Sequence, residues 1–195
     1  MTSPFDRLRA LLEETRSEID RDLAERRERL RYRIERGRAV FDAEIREAHR
    51  AIRERLPGYV LHARLRVILT APVIYALILP FALLDLFVAV YQAICFPVYG
   101  IARVRRRDHI VIDRHRLAYL NGLQKLNCLY CGYINGLISL VREVAARTEQ
   151  YWCPIRHARN PADPHDRYPD FLDYGDAEAF RAQNKRLRDD LRADR

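Results

Sequence analysis

Three cysteines and a histidine fall in the pattern C-x2-C-x21-C-x3-H, at Cys128, Cys131, Cys153 and His157. Thiols three residues apart project from one face of a helix. Pro154 suits the first position of a second helix, which predicts Cys153 at its N-cap, where the dipole favours thiolate. His157 would then follow one turn later and meet Cys153 at the same ion. Three soft sulfurs and one imidazole suit a closed tetrahedral site, so zinc is the expected cofactor. An iron–sulfur cluster on the same four residues is the alternative. A redox-active dithiol at C-x-x-C and plain buried thiols are the remaining readings. Gly132 occupies the position where covalent c-type haem needs histidine.

Other titratable groups offer less. His109 and His115 could substitute for His157, but each has a neighbouring carboxylate, Asp108 or Asp113, to pair with. Glu143 and Glu149 could move protons, yet no nucleophile accompanies them, and helical ion pairs with Arg142 or Arg147 are the plainer reading. His165 with Asp163 and Asp166 could hold a cation or form a hydrogen-bonded loop. Cys95, beside Phe96-Pro97, reads as an inert buried thiol. No nucleotide-binding glycine loop, nucleophile elbow or H-E-x-x-H occurs, so no catalytic residue is assigned.

The elements around these residues are dominated by one stretch. Between Val67 and Ile101 the only charged residue is Asp85. Arg64 and Arg66 precede the stretch, and Arg103, Arg105, Arg106 and Arg107 follow it. So long an apolar run reads as membrane-embedded. Two full crossings do not fit, which leaves one kinked span from Pro72 to Cys95 or a hairpin bending around Pro80–Asp85. Arginines on both flanks favour the hairpin, with both ends on the cytoplasmic side of the membrane. An intramembrane carboxylate is a functional candidate by default, although a hairpin tip would also accommodate Asp85. Tyr75, Tyr91 and Tyr99 fit interfacial anchoring.

Ahead of that stretch, apolar residues recur every eleven positions: Leu8, Ile19, Leu30, Phe41 and Ile52, with Leu12, Leu23, Ile34, Ile45 and Leu56 four positions later. Eleven residues in three turns suits a nearly straight helix. Ser3 as N-cap, Pro4 at the first helical position and a stop at Pro57-Gly58 predict one rod over residues 1–57. Such a rod can lie on a membrane or pair with a second copy, and its narrow stripe without Trp favours self-association through residues 8–56.

After it, residues 108–157 read as one helical run, open to a break at Asn121-Gly122, inside a Cys/His helical domain over 102–175. Gly132 and Gly136 suit close approach of another helix or a cofactor. A proline-rich segment wraps this domain, pinned by Phe171, Leu172 and Tyr174. Asp176 caps a final helix over 176–195 whose charged end should fray.

The net charge of +8 is distributed as +4 over residues 1–66, −1 over 67–101, +5 over 102–153 and zero beyond. The positive charge therefore sits beside the apolar stretch, where anionic headgroups attract it. Arginines alternate with acids and no basic–aromatic motif appears, which argues against nucleic acid as a partner. The N-terminus lacks the apolar core of a secretory signal, so four cysteines imply a reducing compartment.

The runs YQAICFPVYGI, DRHRLAYLNGLQKLNCLYCGY and ARTEQYWCPIRHA resemble an uncharacterised family of small bacterial membrane-associated proteins, over about Tyr91 to Ala158. The resemblance implies bacterial origin and supplies no activity. The expectation is an all-α protein with a long amphipathic helix, a membrane segment and a compact helical domain. Its expected role is a non-enzymatic membrane scaffold with structural zinc, the alternative being a redox protein using the same residues.

Overall fold

A computed structural model describes residues 4–193, and the architecture is all-α apart from one small hairpin. The chain forms two compact units, Met1–His62 with Asp113–Cys128 and Ala63–Ile112 with Leu129–Arg195.

In the first unit, α1 spans Pro4–Arg29 and opens on proline, which costs no hydrogen bond at a helix start. The expected cap, Ser3, lies outside the described residues. The rod then stops, well short of its expected length. Strands β1 (Tyr32–Glu35) and β2 (Arg38–Phe41) pair antiparallel around Arg36-Gly37, both at positive φ (49° and 74°). A two-residue turn of that kind matches the twist of its flanking strands. Tyr32 faces Phe41 across the ladder, with ring centroids 5.1 Å apart. Arg31, donating to Asp42 at 3.1 Å and Glu44 at 3.3 Å, closes the base. Helix α2 (Ala43–Ala51) follows, and Pro57, expected to end the rod, sits in the first turn of α3 (Leu56–Leu61). His49 stacks edge-on to Tyr119 at 5.2 Å, which joins the segments before and after the apolar stretch in this unit.

The second unit opens with the apolar stretch. Helices α4 (Leu65–Ala76) and α5 (Ile78–Tyr99) meet at Leu77, which is itself helical at φ −61° and ψ −16°. Pro80 explains the junction. It has no N–H for the Ala76 carbonyl and its ring crowds that oxygen. Beyond it α5 runs unbroken through Asp85, so the hairpin bend expected at Pro80–Asp85 is absent. Proline is tolerated near a helix start, and α4 already hands over to α5 as a nearly continuous 35-residue helix.

Gly100 ends α5 in the left-handed conformation (φ 74°), with Ile101 N–H bonded to Phe96 O at 2.8 Å and Gly100 N–H to Pro97 O at 3.3 Å. This is the Schellman arrangement, and Phe96 and Ile101 both enter the core. From there the chain turns back along α5 as a strap, residues 101–112, interrupted only by the short α6 (Arg106–His109). The continuous helix expected from residue 108 is therefore not formed until Gly122. Asn121 caps it: Gln124 N–H donates to Asn121 Oδ1 at 3.0 Å and Asn121 N–H to Gln124 Oε1 at 2.9 Å. That reciprocal pair is a capping box.

Helix α7 (Gly122–Trp152) lies parallel to α5. Its contacts with α4 and α5 follow the same order along both: Ile74 of α4 with Tyr130, then Asp85, Tyr91 and Tyr99 of α5 with Tyr133, Thr148 and Tyr151 in turn. Phe96, Ile101, Val104, Leu137, Leu140, Val144 and Leu191 form the core between α5, strap, α7 and the last helix, α8 (Ala177–Ala193). Each large apolar side chain buried there contributes about 1.5–3 kcal/mol. Gly136 is required where the strap crosses α7, since a Cβ would lie 2.7 Å from Ile110 Cα and 2.9 Å from His109 O.

Asp176 caps α8 by accepting Ala179 N–H at 2.8 Å. The expected fraying does not describe residues 177–193: Leu187 and Leu191 are buried, and Arg188 donates to Tyr151 O at 2.7 Å. Asp194 and Arg195 lie outside the described residues.

Candidate functional site

The four residues of the cysteine–histidine pattern do not converge. Helix α7 is unbroken from Gly122 to Trp152. At ~1.5 Å per residue it separates Cys131 from Cys153 by about 30 Å, whereas ligands of one zinc sit within about 4 Å of one another. Cys153 continues α7, its N–H bonded to Glu149 O at 2.8 Å, so it occupies the negative end of a helix and not the N-cap expected. No helix follows Pro154. Ile155 instead forms a bridge with Leu172, and the His157 ring stacks on Tyr168 with centroids 5.8 Å apart. All four cysteines are free thiols, Cys131 and Cys153 exposed, Cys95 and Cys128 half-buried. Among the described residues no three Cys, His, Asp or Glu side chains are grouped to hold a metal. The four-ligand site expected within one chain is therefore not formed in this structure.

Two other expected site residues do meet. Asp85, from the middle of the apolar helix, receives both terminal nitrogens of Arg106 from the strap, Nη2 at 2.9 Å from Oδ2. Tyr133 of α7 donates its hydroxyl to the same Oδ2 at 2.9 Å. The carboxylate is thus bound by three donors from two elements, its side chain 15% exposed beside a half-exposed Arg106. The hydrogen bond from Arg106 to Asp85 raises the arginine pKa further above its ordinary value. Burial, then the hydrogen bond to Asp85, raises that of the Tyr133 phenol. The group neutralises a charge that an apolar helix could not otherwise carry.

The strap is fastened at further points. Gln92, buried in α5, accepts Val104 N–H at 2.9 Å, and Arg103 donates to Ala93 O at 3.0 Å. His109 bonds Ser139 at 2.9 Å in place of a neighbouring carboxylate. The remaining flanking arginines, Arg64, Arg66, Arg105 and Arg107, are exposed.

Glu143 accepts Arg147 at 2.7 Å and Arg167 at 3.0 Å. Arg147 continues to Ala102 O at 2.7 Å, and Arg167 to Gln150 Oε1 at 2.9 Å. His165 Nδ1 accepts Arg167 N–H, which leaves Nε2–H to donate to Glu149 at 3.1 Å. Of these, Glu143, Arg147 and Arg167 line a polar cleft of about 580 Å³ between strap, α7 and the wrapping segment. They hold one another, so the loop reading of His165 and the ion-pair reading of Glu143 stand in place of chemistry. Sequence reasoning missed Tyr133, Gln92 and Arg167. Only Gln92, a polar residue within an apolar run, carried a local signal.

No family model, no curated protein and no solved structure matches the chain.

What the arrangement presents outward is lipophilic. The half-buried and buried positions of the apolar helix, among them Tyr75, Ile78, Phe81, Asp85, Val88, Gln92 and Phe96, recur every three or four residues as one inward stripe. From Val67 through Val98 the exposed positions are apolar except Thr70.

Proposed function

We propose that the chain is a membrane-attached, non-catalytic assembly protein of the bacterial inner membrane, held to lipid by Leu65–Tyr99 and self-associating through α1. One observation carries the attachment. The nearly continuous 35-residue helix shows its folded domain a single stripe and leaves Leu69, Val73, Leu79, Leu83, Phe87, Ile94 and Val98 exposed. An exposed apolar surface of that length is a bilayer or partner surface. The flanking arginines match anionic headgroups.

The self-association rests on α1, which buries none of its residues and exposes Leu8, Leu12, Ile19 and Leu23 along one stripe. A second α1 would cover that stripe without any further element. Glu143 with Arg147 and Arg167, and Glu149 with His165, are bonded to one another, which supports a structural role for the domain.

Flotation of the purified chain with liposomes tests the attachment. Co-flotation lost in a Leu83→Asp, Phe87→Asp double variant is the expected result. A wild-type chain that stays monodisperse without detergent and remains at the bottom of the gradient overturns the reading.

A further inference from the structure

A helix of this length could cross a bilayer, but its surroundings oppose a crossing. The segment before it and the segment after it belong to one compact unit, joined by the His49–Tyr119 contact. If the helix crossed, the strap would have to cross back to bring residue 113 to that unit. Residues 101–112 are mostly non-helical and carry Arg103, Arg105, Arg106, Arg107 and Asp108. Irregular backbone facing lipid is not tolerated in the hydrocarbon region, and arginine there is costly. The strap is also bound to the helix at mid-length, through Arg106 to Asp85 and Val104 to Gln92, so helix and strap share one depth.

We infer that Leu65–Tyr99 lies in the plane of a single leaflet of an anionic bilayer, its outward face among the acyl chains and its strap on the water side. This rests on the membrane attachment proposed above and specifies its geometry. Charge selects the occupant: Arg64 and Arg66 at one end and Arg103, Arg105 and Arg107 along the strap are exposed, at the height of the headgroups. The helix end carries an aromatic group of interfacial type, Tyr99 stacked on Tyr151 at 4.9 Å with Trp152 edge-on at 5.4 Å. An in-plane helix is ordinarily polar on its water side. Here the strap and α7 supply that polar side.

The test uses the full chain added to preformed vesicles of phosphatidylglycerol and phosphatidylethanolamine, or of phosphatidylcholine alone. Spin labels at Leu69→Cys, Leu83→Cys and Val98→Cys, in a chain with the four native cysteines replaced by serine, report depth from oxygen against aqueous nickel accessibility. One shared depth, with binding to the anionic vesicles tighter by about tenfold or more, is expected. A depth that peaks at Leu83 and falls to either end overturns the in-plane geometry. Equal binding to both vesicles overturns the anionic partner. Should the serine background fail to fold, the native cysteines are kept and an impermeant amine reagent is applied to the Arg16→Lys variant. Modification at position 16 from the outside to the same extent as at Lys185 supports one-sided attachment, and protection of either one overturns it. A chain that binds no vesicle and buries these labels against a second copy removes the membrane attachment itself, which is a separate failure.

Discussion

Arg106 reaches back along the apolar helix to Asp85 and holds its carboxylate with two guanidinium nitrogens, while Tyr133 completes the set from α7. One acid therefore ties strap, α5 and α7 together. A charge that looked like an isolated intramembrane candidate is the fastening point of the second unit.

Breaking that group from either side should be measurable. Arg106→Leu leaves a largely buried carboxylate with one donor, and should cost about 2 kcal/mol, between the range for exposed pairs and that for fully buried ones. Asp85→Leu with Arg106→Leu removes both charges and should recover most of that loss. Urea unfolding in a mild detergent gives the three stabilities. A double variant as unstable as the single one would show that the pair is not the fastening.

The same group sets an alkaline limit. The Tyr133 phenol is raised above its ordinary value of about 10 by burial and by the Asp85 carboxylate. A group raised on folding contributes its full stability below the unfolded pKa and loses it as pH rises through the folded one. The stabilising contribution from Tyr133 should thus be constant from neutral pH to about 10 and decline above it. Comparing the melting temperature of the wild type with Tyr133→Phe across pH 7 to about 11.5 checks this. Their difference should shrink only at the alkaline end.

The long apolar helix was legible from composition, and α1 from Pro4 in its first turn and from its stripe. What escaped the sequence did so for identifiable reasons. The eleven-residue columns pass through Ile34, Phe41 and Ile45 in strand and helix alike, so they masked Arg36-Gly37, whose positive φ values end the rod. The burial of Leu187 and Leu191, four apart on α8, was hidden by the arginines and aspartates around them. The separation of Cys131 from Cys153 escaped because spacing alone does not show the helix between them. Leu137, Val141 and Val144 continue the α7 periodicity with no breaker before Trp152, and an unbroken helix keeps its two ends apart.

That separation makes a prediction about metal. With Cys131 held about 30 Å of helix away from Cys153, no four-ligand site of this chain stabilises the fold. Stripping the protein with a strong chelator, or adding one equivalent of zinc, should leave its melting temperature unchanged, and Cys153→Ser should melt with the wild type. A drop on chelation, restored by zinc, would reinstate a structural metal.

Gly136 offers a test of the strap crossing. A methyl group there meets the Ile110 backbone at 2.7 Å, and backbone cannot swing aside as a side chain can. Gly136→Ala should cost about 1–3 kcal/mol, as overpacking of a tight core does. At Gly122 the added Cβ finds nothing within 4 Å, so Gly122→Ala should change stability by less than about 0.5 kcal/mol. Equal effects at the two glycines would remove the close approach as their difference.

The last prediction separates α1 from the longer rod. If self-association belonged to one helix over residues 8–56, two residues inserted after Gly37 would shift the stripe and weaken it. With the hairpin at Tyr32–Phe41 in between, that insertion changes only a turn and leaves the α1 stripe in register. Leu12→Arg, by contrast, places a charge in the centre of the α1 stripe and should weaken dimerisation by about tenfold or more. Sedimentation equilibrium in detergent, with glutaraldehyde cross-linking as a second readout, compares the two. The insertion should associate as the wild type does, since the residues that pair all lie before the turn. An insertion that weakens association as much as Leu12→Arg would return the pairing surface to the segment beyond Arg29, and α1 would not be its seat.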